Sequence, residues 1–336
     1  MDKNIQLIKD TRIPMLKFRP ILKRKLWGGN KIQSFKGLPL DSEGHVGESW
    51  EISGIKAEAS VVEGSKYNGK TLPQLTELLK DRLVGKKVYD AFGNEFPILV
   101  KFIDAAQDLS IQVHPDNAMA QRYGYPNGKT EMWYVVSAEP RAHIISGFSK
   151  SVTAEEYKQA VADKSVVSMM RDHKANAGDC FFIPAGRVHS IGGGTFLIEI
   201  QQTSDITYRI YDFDRRDKDG HLRELHTELA AEAINFNIEA DYRTHYMHEK
   251  NKPVSLIDCN VFKTRLYELT RLYTANYSDI DSFVIFVAYD GSSTLTDSHG
   301  YTAKLHKGES ILIPAETDSV SIEPGKDGLK FLETHL

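Results

Sequence analysis

The side chains of Gln112, His114, Glu131 and His189 are all of types that can ligate a metal ion. Gln112 and His114 are two residues apart in the run LSIQVH. Because successive side chains of a β-strand point to opposite faces, these two should share one face of a sheet. Glu131 opens the β-type run EMWYVV, and His189 follows the turn residues of GDCFFIPAGRVHS. Two imidazoles, one amide and one carboxylate suit a borderline divalent ion, with zinc first, whereas an all-oxygen set would favour magnesium or calcium.

Such a centre has a definite chemical use. One carboxylate against a divalent ion leaves a net positive charge, which polarises a substrate oxygen if a coordination position stays open. Each ligand alone has an ordinary interpretation: a solvated strand residue, a surface histidine, a strand-start ion pair or a turn cap. The order Gly178, Pro184, Gly186 and His189 has no packing reason to recur, and this spacing favours a mononuclear metal site.

The elements that must position these residues are mainly short β-type runs bounded by turn residues. The predicted strands are 47–53, 96–104, 109–114, 132–138, 180–185 and 195–202. Helical periodicity is confined to three segments, 71–84, 153–163 and 223–237. Many strands with few helices predict a mainly all-β barrel or sandwich with attached helices.

An internal repeat extends this prediction. GDCFFIPA at 178–185 aligns with GESILIPA at 308–315, at an offset of 130 residues. A Gly–strand–Pro unit is typical of the closing hairpin of a jelly-roll barrel, so the repeat predicts two barrels in tandem. In the second copy Ser319 stands where the first has His189, which predicts a barrel without the metal ligand.

The polar stretch 239–255 is the predicted connection between the two barrels. The expected domains are therefore a catalytic metal-binding domain at 1–240, with helical attachments, and a degenerate β domain without metal ligands at 241–336.

Bulk properties narrow the range of partners. The chain has 336 residues, of which 41% are hydrophobic and 26% charged, and a formal net charge of -4. That charge gives no general reason to expect nucleic acid or an anionic membrane as partner. Cys180 and Cys259 are too few for a disulfide framework, and Cys180 is predicted to be a buried structural thiol. We expect a cytoplasmic protein. His143, His173, His245 and His248 have no spaced partners and are predicted to be solvated.

The motifs taken together resemble the type I mannose-6-phosphate isomerase family, in its short bacterial form, within the cupin superfamily. The resemblance covers most of the first 215 residues, through WGGNKI, GESWEIS, LSIQVHPDN, GKTEMWY, PAGRVHSIGGG and EIQQTSDITYRIYDFDR. It implies two tandem cupin-type jelly-roll barrels and the interconversion of mannose 6-phosphate and fructose 6-phosphate through an enediolate. It also implies one zinc ion per chain, held by Gln112, His114, Glu131 and His189. The implied partner is a small phosphorylated sugar, and the chain is expected to be a monomer or a weak homodimer.

Further roles follow from the resemblance by motif position. The residues with implied catalytic roles are Arg209, Lys129 and Glu199, and those with implied substrate contacts are Ser110, Arg215, Lys101 and Glu48. Two positions depart from the pattern. Residue 128 is Gly where some members have a histidine proposed to open the sugar ring, and residue 215 is Arg where some carry lysine.

The acid–base group for the C1–C2 proton transfer is predicted to be Lys129, with a metal-bound water or Glu199 as competitor. That role requires a depressed lysine pKa, which a nearby divalent cation and Arg209 would favour. Ordinary structural alternatives remain for several residues: Arg209 as an ion-pair partner of a neighbouring aspartate, and Lys101 with Glu48 as a buried structural pair. Two other functions stay open at this point, a non-catalytic sugar-phosphate sensor and a metal cupin oxygenase.

Overall fold

Strands form most of the regular structure in residues 11–40, 44–217 and 219–336, the part of the chain that the computed structural model describes. The strands are β1 Lys17–Arg19, β2 Ile21–Gly29, β3 Val46–Ile52, β4 Val61–Glu63, β5 Ile98–Ala105, β6 Ile111–Val113, β7 Glu131–Ala138, β8 His143–Phe148, β9 Met170–Lys174, β10 Cys180–Ile183, β11 His189–Ile191, β12 Thr195–Gln202, β13 Tyr208–Tyr211, β14 Val254–Asp258, β15 Lys263–Leu269, β16 Tyr273–Asn276, β17 Val284–Asp297, β18 Thr302–His306, β19 Ser310–Ile313 and β20 Ser319–His335. The helices are α1 Lys31–Phe35, α2 Leu72–Leu79, α3 Asp81–Val84, α4 Lys86–Phe92, α5 Asn117–Arg122, α6 Ala154–Ala162 and α7 Thr227–Ala233, with short 3₁₀ turns at Lys56–Glu58 and Val166–Met169. The prediction of a mainly β fold is confirmed.

The described chain divides into two compact units, each assembled from separate stretches. The site unit consists of Leu22–Trp50 and Leu99–Thr244. The C-terminal unit consists of residues up to Ile21, then Glu51–Ile98 and His245–Leu336. The predicted domain division after residue 240 stays a prediction.

The site unit is built on two antiparallel sheets. The strand order is β10-β7-β12-β5-β2-β3 in one and β13-β6-β11-β8-β9 in the other. One apolar cluster contains residues of both sheets, such as Trp133 and Leu197 from the first and Ile144 and Ile191 from the second. The sheets therefore face each other over a shared core, an arrangement compatible with a jelly roll.

Along the strands of the second sheet, apolar side chains that pack into the core alternate with polar side chains that line a cavity. Ile111 and Val113 in β6, and Ile210 in β13, belong to a second apolar cluster that also contains side chains of α6 and α7. Gln112 and Arg209 lie between these apolar positions and line a cavity instead. One face of the sheet is thus covered by the two helices, and the other is left for polar groups.

The C-terminal unit repeats the strand register of the site unit. In the site unit Ile183 of β10 pairs with Glu131 of β7, and in the C-terminal unit Ile313 of β19 pairs with Val284 of β17. Ile183 and Ile313 are the residues that the sequence repeat aligns. The same closing strand therefore pairs at the same position in both units, which confirms the prediction of a repeated unit.

Three predicted features differ in detail. The segment 71–84 is not one helix, because Lys80 adopts a left-handed φ of 52° and separates α2 from α3. The predicted helix 223–237 is confined to Thr227–Ala233. The prediction that His173 is solvated is wrong: its ring is buried, packs against Phe181 and lies 3.2 Å from an Arg243 nitrogen.

Two further predictions concern the thiols and the membrane. Cys180 is buried as predicted, and both cysteines are free. Among the described residues no helix combines the length and apolar character needed to cross a membrane.

Gly291 lies where the long antiparallel strands β17 and β20 pair, so substitution there tests their packing. Its φ is +75°, and a Cβ there would lie 2.1 Å from the Gly328 carbonyl oxygen. Gly300 has a similar φ of +84°, but a Cβ at that position would have no neighbouring atom within 4 Å. Both alanine substitutions carry the left-handed cost of about 1–2 kcal/mol, and only Gly291→Ala adds a backbone clash. We expect urea unfolding to show Gly291→Ala less stable than Gly300→Ala by at least about 2 kcal/mol. Equal unfolding midpoints for the two variants would contradict the described packing of these two strands.

Candidate active site

Three of the predicted metal ligands converge in the core of the site unit. The ligand atoms of His114, Glu131 and His189 lie within 4.8 Å of one another, and all three residues are buried. The Nε2 atoms of the two histidines are 3.2 Å apart, and each lies 3.5 Å from a Glu131 oxygen. Such a cluster of nitrogen and oxygen donors around one point can hold a single divalent ion.

Strand register explains how distant parts of the sequence meet here. His189 pairs with Gln112 across β11 and β6, so Gln112, the remaining predicted ligand, is the direct cross-strand neighbour of His189. Glu131 is the first residue of β7 in the opposite sheet. The cluster therefore lies between the sheets, with donors from both.

The histidines present neutral nitrogens to the cluster. His189 donates Nδ1–H to the Arg187 carbonyl oxygen at 2.7 Å, and because a carbonyl can only accept, Nε2 keeps its lone pair for a ligand. Burial lowers the pKa of His189 to about 3, with the Lys129 ammonium adding to the effect against the Arg187 carbonyl. Burial and Lys129 also hold the pKa of His114 well below its usual value.

Glu131 is the member of the cluster whose carboxylate lacks regular hydrogen bonds in the part of the chain that the structure describes. Both of its carboxylate oxygens are buried without a hydrogen bond of regular geometry among the described residues, although Lys129 Nζ lies 3.0 Å from Oε2. Burial, together with the charge of Glu199, raises the pKa of Glu131 to about 7. A buried carboxylate with unsatisfied oxygens beside two neutral imidazoles fits a bound cation, which would supply the missing partner.

A cavity of about 170 Å³ adjoins the cluster. Its lining comes largely from residue pairs spaced two apart, which share a strand face. The lining residues are Lys25, Trp27, Glu48, Trp50, Lys101, Ile103, Leu109, Ser110, Gln112, Lys129, Ile191, Glu199, Asp205, Thr207, Arg209 and Arg223. Six of the seven residues predicted to have catalytic or substrate roles are therefore in the lining, and Arg215 is not.

Buried ion pairs order one wall of the cavity. Lys101 Nζ lies 2.9 Å from a Glu199 oxygen, and the other oxygen accepts a hydrogen bond from Trp133 at 2.9 Å. Burial raises the pKa of Glu199, but Lys101, Lys129 and these hydrogen bonds outweigh it and bring the pKa to about 2. For Lys101 burial lowers the pKa, and the Glu199 and Glu48 carboxylates reverse this and raise it. Both groups of the pair are thus held in their charged forms.

Glu48 is held in the same way at the outer part of this wall. It accepts a hydrogen bond from Trp50 Nε1 at 2.7 Å and lies 3.3 Å from Lys25 Nζ. Burial raises the pKa of Glu48, yet Lys101 and Lys25 outweigh it and lower the pKa.

The opposite wall carries arginines. Arg209 is the cross-strand neighbour of Gln112 and donates to the Glu224 carbonyl oxygen at 3.0 Å. It forms no ion pair with a neighbouring aspartate in the described part of the chain. Asp212 instead binds Arg215 and Arg223, and of these two only Arg223 reaches the cavity lining.

Some lining residues were not predicted from the sequence. Lys25 and Trp27 alternate along β2 as Glu48 and Trp50 do along β3, so their spacing was an available signal. Arg223 lies in an irregular segment before α7, and no local pattern marks it. Only the folded arrangement of β13 and the following residues brings it to the cavity.

Comparison with protein families gives two matches. The family described as "Phosphomannose isomerase type I, catalytic domain" matches residues 15–165, and that described as "Mannose-6-phosphate isomerase, cupin domain" matches residues 254–326. The chain is 34% identical to the mannose-6-phosphate isomerase ManA of Bacillus subtilis, over 88% of this chain and 92% of that one. It is 32% identical to the mannose-6-phosphate isomerase of Streptococcus mutans, over 87% and 89%.

Solved structures show the same architecture. The mannose 6-phosphate isomerase of Bacillus subtilis superposes with a TM-score of 0.86 at 28% identity, over 96% of this chain and 100% of that one. A variant of phosphomannose isomerase from Salmonella typhimurium gives a TM-score of 0.79 at 16% identity, over 96% and 99%, and supports the fold alone.

The raised pKa of Glu131 predicts a pH-dependent instability of the metal-free protein. Since the folded state holds this proton more tightly than the unfolded chain, its stabilising contribution is full below about pH 4.5 and is lost as the pH rises through about 7. Glu131→Gln cannot ionise, so after chelation the variant should exceed the parent in stability at pH 8, by up to about 3 kcal/mol, and match it near pH 4.5. Urea unfolding at both pH values measures this. A metal-free parent at least as stable as the variant at pH 8 would show that Glu131 has a partner in the core.

Proposed function

The chain belongs to the type I phosphomannose isomerase family, and from this premise we propose that its site interconverts mannose 6-phosphate and fructose 6-phosphate through an enediolate. The observation that carries the proposal is the buried cluster of His114, Glu131 and His189 at the edge of a cavity lined with cations. An aldose–ketose isomerisation needs a positive centre beside the two reacting oxygens and an acid–base group near the C1 and C2 carbons. The cluster and the adjacent Lys129 supply groups of both types.

We assign the metal to one zinc ion per chain, held by Gln112, His114, Glu131 and His189. The mixed nitrogen and oxygen donors support zinc over magnesium or calcium. The unsatisfied oxygens of Glu131 support occupancy of the site. When bound, the ion polarises the carbonyl and hydroxyl oxygens of the substrate and stabilises negative charge that develops on them.

The acid–base role goes to Lys129 in preference to Glu199. Glu199 is bound by Lys101 and Trp133, and a carboxylate with a pKa of about 2 is a weak base near neutral pH. Lys129 Nζ lies 3.1 Å from His114 Nε2 and 3.0 Å from Glu131, so its amine reaches the centre of the cluster. Lys101 and Glu48 hold the cavity wall in its charged arrangement, and Arg209 and Ser110 contact the substrate.

The two other functions that the sequence left open are not supported. A non-catalytic sensor would have lost part of the ligand set or the lysine, and the chain retains them all. An oxygenase finds no support among the relatives, whose names are those of mannose-6-phosphate isomerases. We further propose a cytoplasmic location and a phosphorylated sugar as the small-molecule partner. The two free thiols are compatible with a reducing compartment.

Metal analysis tests the ligand assignment. Purified protein should carry about one zinc per chain, and His189→Ala should lower this at least about tenfold, because a buried imidazole donor is lost. His143→Ala is the matched control, since this half-buried histidine lies outside the cluster. Full zinc content in His189→Ala, or equal losses in both variants, would refute the assignment.

Proton exchange tests the role of Lys129. In Lys129→Met the exchange of the C2 proton with solvent should fall by at least about 100-fold while zinc content stays intact, because the acid–base group is removed and the ligands are not. Lys164→Met, at an exposed lysine paired with Asp214, is the control. If Glu199→Gln abolishes exchange and Lys129→Met does not, Glu199 is the base.

A further inference from the structure

Two arginines bind one buried aspartate near the cavity, and a third arginine lies close to them. Arg223 binds Asp212 side-on, with Nε and Nη2 each 2.6 Å from a carboxylate oxygen. Arg215 Nη2 donates to the same carboxylate at 2.8 Å. Arg209 is close enough that the positive charges of Arg223 and Arg215 lower its pKa, in addition to the larger effect of burial. Asp205 also lines the cavity, so two carboxylates accompany these three guanidinium groups.

The lysines of the cavity are balanced, in contrast to the arginines. Each lysine in the lining lies within ion-pair distance of its own carboxylate: Lys25 with Glu48 at 3.3 Å, Lys101 with Glu199 at 2.9 Å and Lys129 with Glu131 at 3.0 Å. The positive charge in excess therefore comes from Arg209, Arg215 and Arg223, called the arginine wall below, which outnumber Asp205 and Asp212. An anionic group entering the cavity is attracted to that wall most strongly.

Donors remain available on these arginines. The side-on contact with Asp212 uses Nε and Nη2 of Arg223, and its Nη1 makes no hydrogen bond within the described residues. The Nε atoms of Arg209 and Arg215 are buried and unsatisfied in the same part of the structure. A guanidinium with a free edge is suited to a phosphate oxygen, since Arg binds phosphate with parallel N–H groups.

We propose that Arg223, held in place by Asp212, binds the phosphate group of the substrate and thereby sets the preference for phosphorylated over free sugars. This inference rests on the proposed function and assigns the phosphate to Arg223, whereas the family resemblance implied Arg215 as a substrate contact. Arg215 lies outside the cavity lining, where it acts as a second partner of Asp212. Asp212 is a positioning residue that fixes the guanidinium plane of Arg223.

The placement also orients the substrate. Arg209 is in register with Gln112, so the arginine wall adjoins the metal ligands. With the phosphate on Arg223, the other end of a six-carbon sugar extends towards Lys129 and the cluster. The reacting C1 and C2 carbons then lie at the acid–base group, remote from the phosphate.

Steady-state kinetics of the zinc-loaded enzyme test the proposal. Arg223→Gln should raise the KM for mannose 6-phosphate and the inhibition constant of inorganic phosphate together, by about 10- to 100-fold, with a much smaller change in kcat. Arg223→Lys keeps the positive charge but loses the two parallel N–H donors of the guanidinium. Its KM and phosphate inhibition constant should lie between those of the parent and those of Arg223→Gln. Arg216→Gln, at an exposed arginine of the same segment that binds the Gly220 carbonyl, is the matched control and should leave both constants unchanged.

Asp212→Asn separates positioning from general stability. It keeps all three arginines but weakens the grip on Arg223, so KM and the phosphate inhibition constant should rise while zinc content and kcat are retained. A variant whose kcat and zinc content fall, with KM and phosphate inhibition unaltered, would overturn the positioning role. A larger effect on these constants from Arg215→Gln than from Arg223→Gln would overturn the assignment to Arg223.

Direct binding distinguishes this proposal from the proposed function. Calorimetric titration of the zinc-loaded protein with inorganic phosphate needs no turnover. Phosphate binding that is lost in Arg223→Gln supports the site even if no sugar phosphate is isomerised, in which case only the isomerase assignment fails. Isomerisation with phosphate binding unaffected by Arg223→Gln overturns the site and leaves the isomerase assignment standing.

Discussion

The buried carboxylate of Glu131 is the constraint on which the arrangement of the site depends. Removing a carboxylate from water costs several kcal/mol unless a partner replaces the lost hydration. Here the nearby groups are two imidazoles that are neutral and one ammonium, and both carboxylate oxygens lack a hydrogen bond of regular geometry in the described chain. The fold therefore leaves two carboxylate oxygens without a hydrogen bond at one point between its sheets, and a divalent cation would supply the missing partner. The same unsatisfied carboxylate oxygens would favour metal binding and would lower the stability of the metal-free protein.

Glu48 and Glu199 of the cavity wall are paired with lysines, so of the three glutamates the unsatisfied oxygens are confined to Glu131. Lys101 and Glu199 reinforce each other's ionised forms, and Lys101 and Lys25 lower the pKa of Glu48, so neither carboxylate competes as a free anionic ligand. Alternation along short strands makes this possible, because every second residue faces the cavity while its neighbours pack into the core. In β6 the apolar Ile111 and Val113 pack under helices on the other face. A polar interior of this kind needs strands on both sides, which a single sheet could not provide.

The sequence was most informative where function and periodicity coincide. Gln112 and His114 on one strand, and the mainly β architecture, could be predicted because period-two spacing is local. Glu131 and His189 could be assigned to the same site from residue type, the turn spacing before His189 and motif resemblance, but not from strand period alone, since their meeting depends on pairing between strands far apart in the chain. No local sequence pattern predicts that the helix expected at 71–84 is interrupted at Lys80. None predicts that Arg223 lines the cavity. Both depend on tertiary packing and irregular backbone, which spacing rules do not describe.

The C-terminal unit carries different residues at the positions that hold the predicted ligands in the site unit. By strand register, Val284 occupies the position of Glu131, and Ser319 pairs with Asn276 where His189 pairs with Gln112. A buried acid nevertheless persists there: Glu333 pairs with Phe286 as Glu199 pairs with Trp133.

Glu333 differs from Glu131 in accepting hydrogen bonds of regular geometry from protein side chains. It accepts a hydrogen bond from Tyr277 at 2.7 Å and lies 3.4 Å from Arg265. Burial still raises its pKa, against the effects of Tyr277 and Arg265. The Glu333 carboxylate has protein hydrogen-bond donors, serine stands at the His189 position and valine at the Glu131 position, so these residues leave no unsatisfied acceptor for a cation. The difference between the two units is therefore not the presence of a buried acid, which both have. It is whether the acid is left for a metal to neutralise.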